Sequence, residues 1–306
     1  MSSGKRATEI VAACPVGQQA EGAFIVRAMH LCWAFADNQG ETGFCREDGE
    51  MQVLRTESTY LARSPGYRRR IRVAAARNAV LAQLEDDVHC MSVTLWHGNG
   101  RIISIDAIMH RWPWTTCPDA TEQLASTFAG YRLADVSARR QKQLNCTHLH
   151  DLAVLAAGHA EDRHLLIYDV LVSDPVPGER IMAIHRNDQA VMRWIEQDAL
   201  LTSPPAIAGK SLCGLREWIA ALPDADREPA RLLQWGAIVA HCRTLPMDRM
   251  NRATNMPPSC YTFQPERVSD ARRIVDLRDF SDGTAELFAS GSPGAAEMER
   301  FLSRRP

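Results

Sequence analysis

The segment His97-Gly98-Asn99-Gly100 constrains this chain more than any other. It stands between two strand-length runs, Met91 to Trp96 and Arg101 to Met109. Asn and Gly accept the positive φ of a tight turn, so the arrangement predicts a β-hairpin. Just upstream, Arg70 to Leu84 predicts two further strands around a turn near Asn78. Pro113 and Pro118 then end regular pairing and bracket Cys117. Asp119 or Thr121 can cap a helix that runs to Phe128 and stops at Gly130. Asn145 or Thr147 can cap a second helix, whose residues Leu149, Leu152, Ala153, Leu155 and Ala156 have helical spacing.

The second half repeats this order. Leu165 to Val172 and Arg180 to Arg186 flank Asp174-Pro175-Val176-Pro177-Gly178, and Ala190 to Ile195 returns after Asn187-Asp188. Helices are predicted over Lys210 to Leu222, Pro229 to Cys242 and, briefly, Ser269 to Val275, with a mobile tail beyond Asp282. A shift of about 89 residues lays Leu95-Trp96-His97-Gly98-Asn99 on Ile184-His185-Arg186-Asn187-Asp188. The expected class is therefore α+β, with two related units, each a mainly antiparallel sheet backed by helices. The expected divisions are an N-terminal extension at 1–64, a first unit at 65–162 carrying the site, and a second unit at 163–306 with a C-terminal extension.

A length of 306 residues favours two domains over one. The formal charge of −2 supplies no field for nucleic acid or an anionic membrane. The basic runs Arg68-Arg69-Arg70 and Arg139-Arg140 read as solvated surface. No signal peptide or membrane-length apolar run is visible, so a cytoplasmic protein is expected. Oligomeric state stays open, a homodimer included. Nine cysteines without a short framework read as buried thiols in a reducing compartment.

Cysteines, histidines and tryptophans concentrate between His89 and His159. Cys117 and Cys146 each precede a predicted helix, where backbone amides lower a thiol's pKa. His148 and His150 lie two apart, so on a helix they point apart, and Asp151 can orient one of them. His89 and Cys90 open a strand on opposite faces. Asp87, His89, Cys90, Cys117, Cys146 and His148 together have the residue types for zinc or an iron–sulfur cluster. His110, Arg111, Trp112 and Trp114 suit a pocket for a flat apolar acid, with Arg111 as clamp. Tyr261 adds a phenol from a distant cluster.

At Trp114-Thr115-Thr116-Cys117-Pro118 and Cys146-Thr147-His148-Leu149-His150-Asp151-Leu152-Ala153 the chain resembles the bacterial family called domain of unknown function 2889. Asp87-Val88-His89 before a strand is similar to that family as well. The order Cys90, Cys117, Cys146-Thr147-His148-Leu149 is similar to iron–sulfur cluster scaffold proteins, which implies a related sheet-and-helix fold. Cys117 departs from that pattern in being followed by proline rather than glycine.

No P-loop or dinucleotide fingerprint is present. The leading expectation is a cofactor-free lyase of elimination, retro-aldol or decarboxylation type, acting on a planar apolar or aromatic substrate. Its catalytic candidates are His148, His89, Asp151, Cys117 and Cys146, and Arg111, Trp112, Trp114, His110 and Tyr261 would bind substrate. One alternative is a metal or iron–sulfur module with Cys90, Cys117 and Cys146 as ligands to zinc or a cluster. Another is a ligand-binding protein without catalysis.

Overall fold

A computed structural model describes residues 61–139, 141–244, 252–253, 256–274 and 277–304. Expectations for residues 1–60 lie outside these. One eight-stranded antiparallel sheet organises the chain, in the order β4-β3-β2-β1-β5-β6-β7-β8. Its first half holds β1 (Gly66–Ala76), β2 (Ala79–Asp86), β3 (Cys90–Gly98) and β4 (Arg101–Arg111). Its second half holds β5 (Leu166–Ser173), β6 (Glu179–Arg186), β7 (Gln189–Gln197) and β8 (Leu200–Ser203). The halves join where β1 pairs with β5, with Arg69 opposite Val170. The expected α+β class is therefore realised as a single large sheet flanked by helices. The four-residue β8 was not expected, being too short to show a strand period.

Burial follows position in the sheet. Every residue of the interior strand β2 is buried. Edge strand β4 instead exposes Arg101, Ile103, Ser104, Asp106 and Ile108. The β3–β4 hairpin turns as predicted, with Asn99 at φ 52° and Gly100 at φ 70°.

Helices α1 (Ala120–Phe128) and α2 (Thr147–Gly158) cover the front of the first half. Helices α3 (Arg216–Ala221) and α4 (Asp224–Ala240) serve the second half, with α4 lying on β5, β6 and β7. The Lys210–Leu222 helix forms only as the short α3 after a 3-10 turn at Leu212–Gly214. Leu149, Leu152, Ala153 and Ala156 of α2 and Leu233 and Ala237 of α4 are fully buried in one core with Ile71, Leu84 and Val170.

The tail corrects an expectation. Helix α5 (Pro293–Leu302) starts with Ser292 accepting from the Ala295 amide and packs on the back of the sheet. Met298 meets Ala74 and Leu81 there, and the Gly294 carbonyl accepts from Gln83 and Arg72. The run Arg68-Arg69-Arg70 is likewise not a solvated surface. Arg69 is 0% exposed on the front face, Arg68 is buried, and Arg70 pairs with Asp169. Strand alternation sends one arginine into the front layer and its neighbours behind.

His159, just after α2, ties the two halves. Its Nδ1 meets Asp162 at 2.7 Å and its Nε2 meets Glu228 of α4 at 2.9 Å. Tyr168 donates to the same Glu228 oxygen at 2.8 Å. Burial alone would lower the His159 pKa, but the two carboxylates outweigh it and raise it.

Two measurements test these contacts. A Cβ on Gly236 would meet Cγ1 of Val170 at 2.7 Å, so Gly236→Ala should cost about 1–3 kcal/mol in denaturant unfolding. The His159 ion pairs should contribute fully below the unfolded histidine pKa and fade as pH rises through the raised folded value. The melting-temperature gap between the parent and His159→Gln should therefore shrink from about pH 6 to pH 9.

Candidate metal centre

The turn between β2 and β3 places two side chains at one point. Asp86 ends β2, and its Oδ1 accepts the amides of Val88 at 2.8 Å and His89 at 2.6 Å. The backbone therefore folds back over its own carboxylate. This brings His89 Nδ1 to 3.1 Å from Oδ1. The other oxygen, Oδ2, accepts from Tyr67 Oη at 2.7 Å, Arg69 Nε at 3.0 Å and Arg69 Nη2 at 2.7 Å. Asp86 and Arg69 are both 0% exposed. Arg69 lies opposite Asp86 in the β1–β2 ladder, so register alone sets the pair.

The third member comes from the first turn of α2. His148 sets its ring 3.9 Å from that of His89, tilted by 31°. Behind it stands Trp235 of α4, with ring centroids 5.2 Å apart. The Arg69 guanidinium lies 4.4 Å over the same Trp235 ring. Burial holds the His148 pKa well below the ordinary histidine value, with His89 and Arg69 adding to the effect. His148 is therefore a neutral imidazole, the form that ligates metals. Its Nε2 is buried and has no hydrogen-bond partner among the described residues. Burial would raise the Asp86 pKa, yet His89 and Arg69 hold it well below the carboxylate range. One ligand atom from each of Asp86, His89 and His148 lies within 4.8 Å of the others. Two imidazoles and a carboxylate suit zinc or ferrous iron.

This cluster corrects the leading expectation. His89 and His148 were expected to act as bases in a cofactor-free lyase. They converge instead with Asp86 as a ligand set, so neither that chemistry nor the absence of a cofactor fits. The expected aromatic-substrate wall is not assembled either. Trp114 is buried against Cys117, Ala253 and Ala271 and meets Phe263 edge-on at 5.6 Å. Trp112 packs between that cluster and the main core. Arg111 spends its Nη2 on the carbonyls of Asp86 and His89, holding the turn from outside. His110 faces Glu297 of α5 at 3.8 Å. Tyr261 is buried with Arg267 over its ring at 3.9 Å, and its amide bonds to the Asn145 carbonyl.

The metal alternative is the reading the cluster favours, with donors other than thiols. Cys90 sits on the back of the sheet, 3.7 Å from where a Cβ on Gly294 would stand. Cys117 Sγ contacts Thr262 Oγ1 at 3.4 Å, and Cys146 is buried in the main core at the N-cap position of α2. Burial pushes all three thiols up to about 12, although helical amides were expected to lower Cys117 and Cys146. Desolvation of a fully enclosed sulfur outweighs the first-turn amides. His150 turns away from His148 toward Phe128 and Asp151. Asp151 pairs with Lys142 at 2.5 Å, which brings its pKa down against the effect of burial.

Asp86, Arg69 and Trp235 were not among the expected site residues. Asp86 to His89 is an i, i+3 turn whose carboxylate caps its own amides, a local signal available in the sequence. Arg69 and Trp235 carry no such signal. Among the described residues no helix is long and apolar enough to cross a membrane.

The pairing yields a sharp expectation. Asp86→Asn leaves the Arg69 charge buried and uncompensated, which should cost about 3–5 kcal/mol in chelator-treated protein. A loss below about 1 kcal/mol in urea unfolding would mean that the pair is not dry.

No curated protein and no solved structure matches the chain. Residues 68–160, which supply all three donors, match the model of a family described as protein of unknown function (DUF2889), so that segment is similar to this family.

Proposed function

We propose that this protein binds one first-row transition metal, zinc or ferrous iron, at Asp86, His89 and His148. The observation that carries this is the approach of three ligand atoms to within 4.8 Å around a neutral imidazole whose Nε2 is otherwise unpartnered. A buried polar atom without a partner costs about 1–3 kcal/mol, and coordination removes that cost. Three protein donors leave coordination positions open, the arrangement catalytic rather than structural sites keep. When bound, such a metal supplies Lewis acidity toward an oxygen ligand. His148 is the most exposed of the three, so the open side lies at the start of α2.

The reading extends to architecture. The strand order is palindromic about the β1–β5 seam, and two helices follow each set of four strands. This supports a duplication with a first unit at 65–162 and a second at 163–306. Under it β1 corresponds to β5 and β3 to β7, so the true offset is one strand longer than the sequence shift suggested. The second unit then contributes Trp235 as a wall of the first unit's site.

Protein purified without chelator should retain about one equivalent of zinc or iron by elemental analysis. His148→Ala and His89→Ala should each fall well below half of that. The double variant Cys117→Ser, Cys146→Ser should keep its metal. Retention by both histidine variants, or loss only in the serine variant, would return the site to the thiols.

A further inference from the structure

Charge at the proposed centre does not close with the residues present. Asp86 and Arg69 cancel each other, and an imidazole that ligates a metal adds no charge. A divalent ion would therefore leave about two positive charges in a buried place, which is costly unless paired. The neighbouring carboxylates are committed elsewhere. Asp87 pairs with Arg243 at 2.7 Å, and Asp151 pairs with Lys142. Asp86 itself already accepts from two backbone amides, a phenol and two guanidinium nitrogens. Its single charge is therefore already shared among several donors.

A second observation points the same way. Nη1 of Arg69 is buried and has no hydrogen-bond partner among the described residues. Its neighbours Nε and Nη2 both bond Asp86, so the guanidinium is fixed in place. The Trp235 face beneath it is a weak substitute for an oxygen acceptor. One oriented donor thus lies over the Trp235 ring that His148 also packs against, and His148 Nε2 is unpartnered as well.

We infer that the metal's open position takes an anionic oxygen ligand, a carboxylate or similar small oxyanion, which also accepts from Nη1 of Arg69. The inference rests on the metal reading and deepens it, since it names the class of molecule the centre recognises. Arg69 then acts as the selectivity element. It offers a fixed donor to an acid and nothing to a neutral amide of the same shape. Trp235 holds the guanidinium from below and His148 from the side.

The test uses the full chain loaded with cobalt(II), whose visible spectrum reports its ligands. Acetate is the probe and acetamide its neutral counterpart. Acetate should change the cobalt spectrum saturably, and acetamide should not at equal concentration. Arg69→Lys keeps the charge but lacks the forked donor, and should weaken acetate at least about tenfold while cobalt stays bound. If that variant does not fold, the contrast between acetate and acetamide in the parent protein decides. Cobalt bound at one equivalent with no response to acetate, or an equal response to both probes, overturns the anion inference and leaves the metal reading standing. Failure to hold cobalt at all removes both.

Discussion

The Asp86 carboxylate is the constraint on which the first half of the molecule depends. It is wholly buried and charged, so the surrounding chain must supply it with hydrogen-bond donors. Two of the donors are amides of the turn that follows it, and these fix the β2–β3 connection. The others are Tyr67 and Arg69, and these fix the register of β1 against β2. Replacing such a cluster with apolar residues would often be neutral for stability. Its presence here therefore fits a functional demand better than a structural one, and the unpartnered His148 and Arg69 nitrogens say where that demand lies.

The second half of the sheet is tied to this arrangement at several heights. Helix α4 brings Trp235 against both His148 and Arg69, so the centre is closed only when α4 lies on β5. At the other end of α2, His159 reaches Glu228 of the same helix. Arg243, just beyond α4, binds Asp87, Asp174 and Asp279 together. It thereby joins the turn carrying the centre, the β5–β6 connection and the C-terminal strap. The Arg278 amide bonds the Asp87 carbonyl from that strap as well. A centre supported by four separate segments is held rigidly, the condition for orienting a ligand rather than merely retaining it.

Thiols, which dominate the motif pattern in the sequence, turn out to be enclosed packing groups. Cys146 shows why. It occupies the N-cap position of α2 without a side-chain capping bond, and burial pushes its thiol up to about 12. Cys90, the first residue of β3, packs on the far side of the sheet.

The sequence by itself determined the elements and their order. Turn chemistry at Asn99-Gly100 and Asn187-Asp188, strand-length apolar runs, and the spacing of Leu149, Leu152 and Ala156 are local properties, and local properties survive without a tertiary frame. It also offered His89 and His148 as candidate bases, and the structure brings both beside Asp86. Tertiary structure alone decided the partners. Only the β1–β2 register opposes Arg69 to Asp86, and only the docking of α4 brings Trp235 to His148. The turn at 86–89 likewise keeps His89 beside Asp86, while Cys90, the first residue of β3, packs behind the sheet. Which of several plausible donors converge depends on contacts between residues far apart in the chain, and no local pattern encodes those distances.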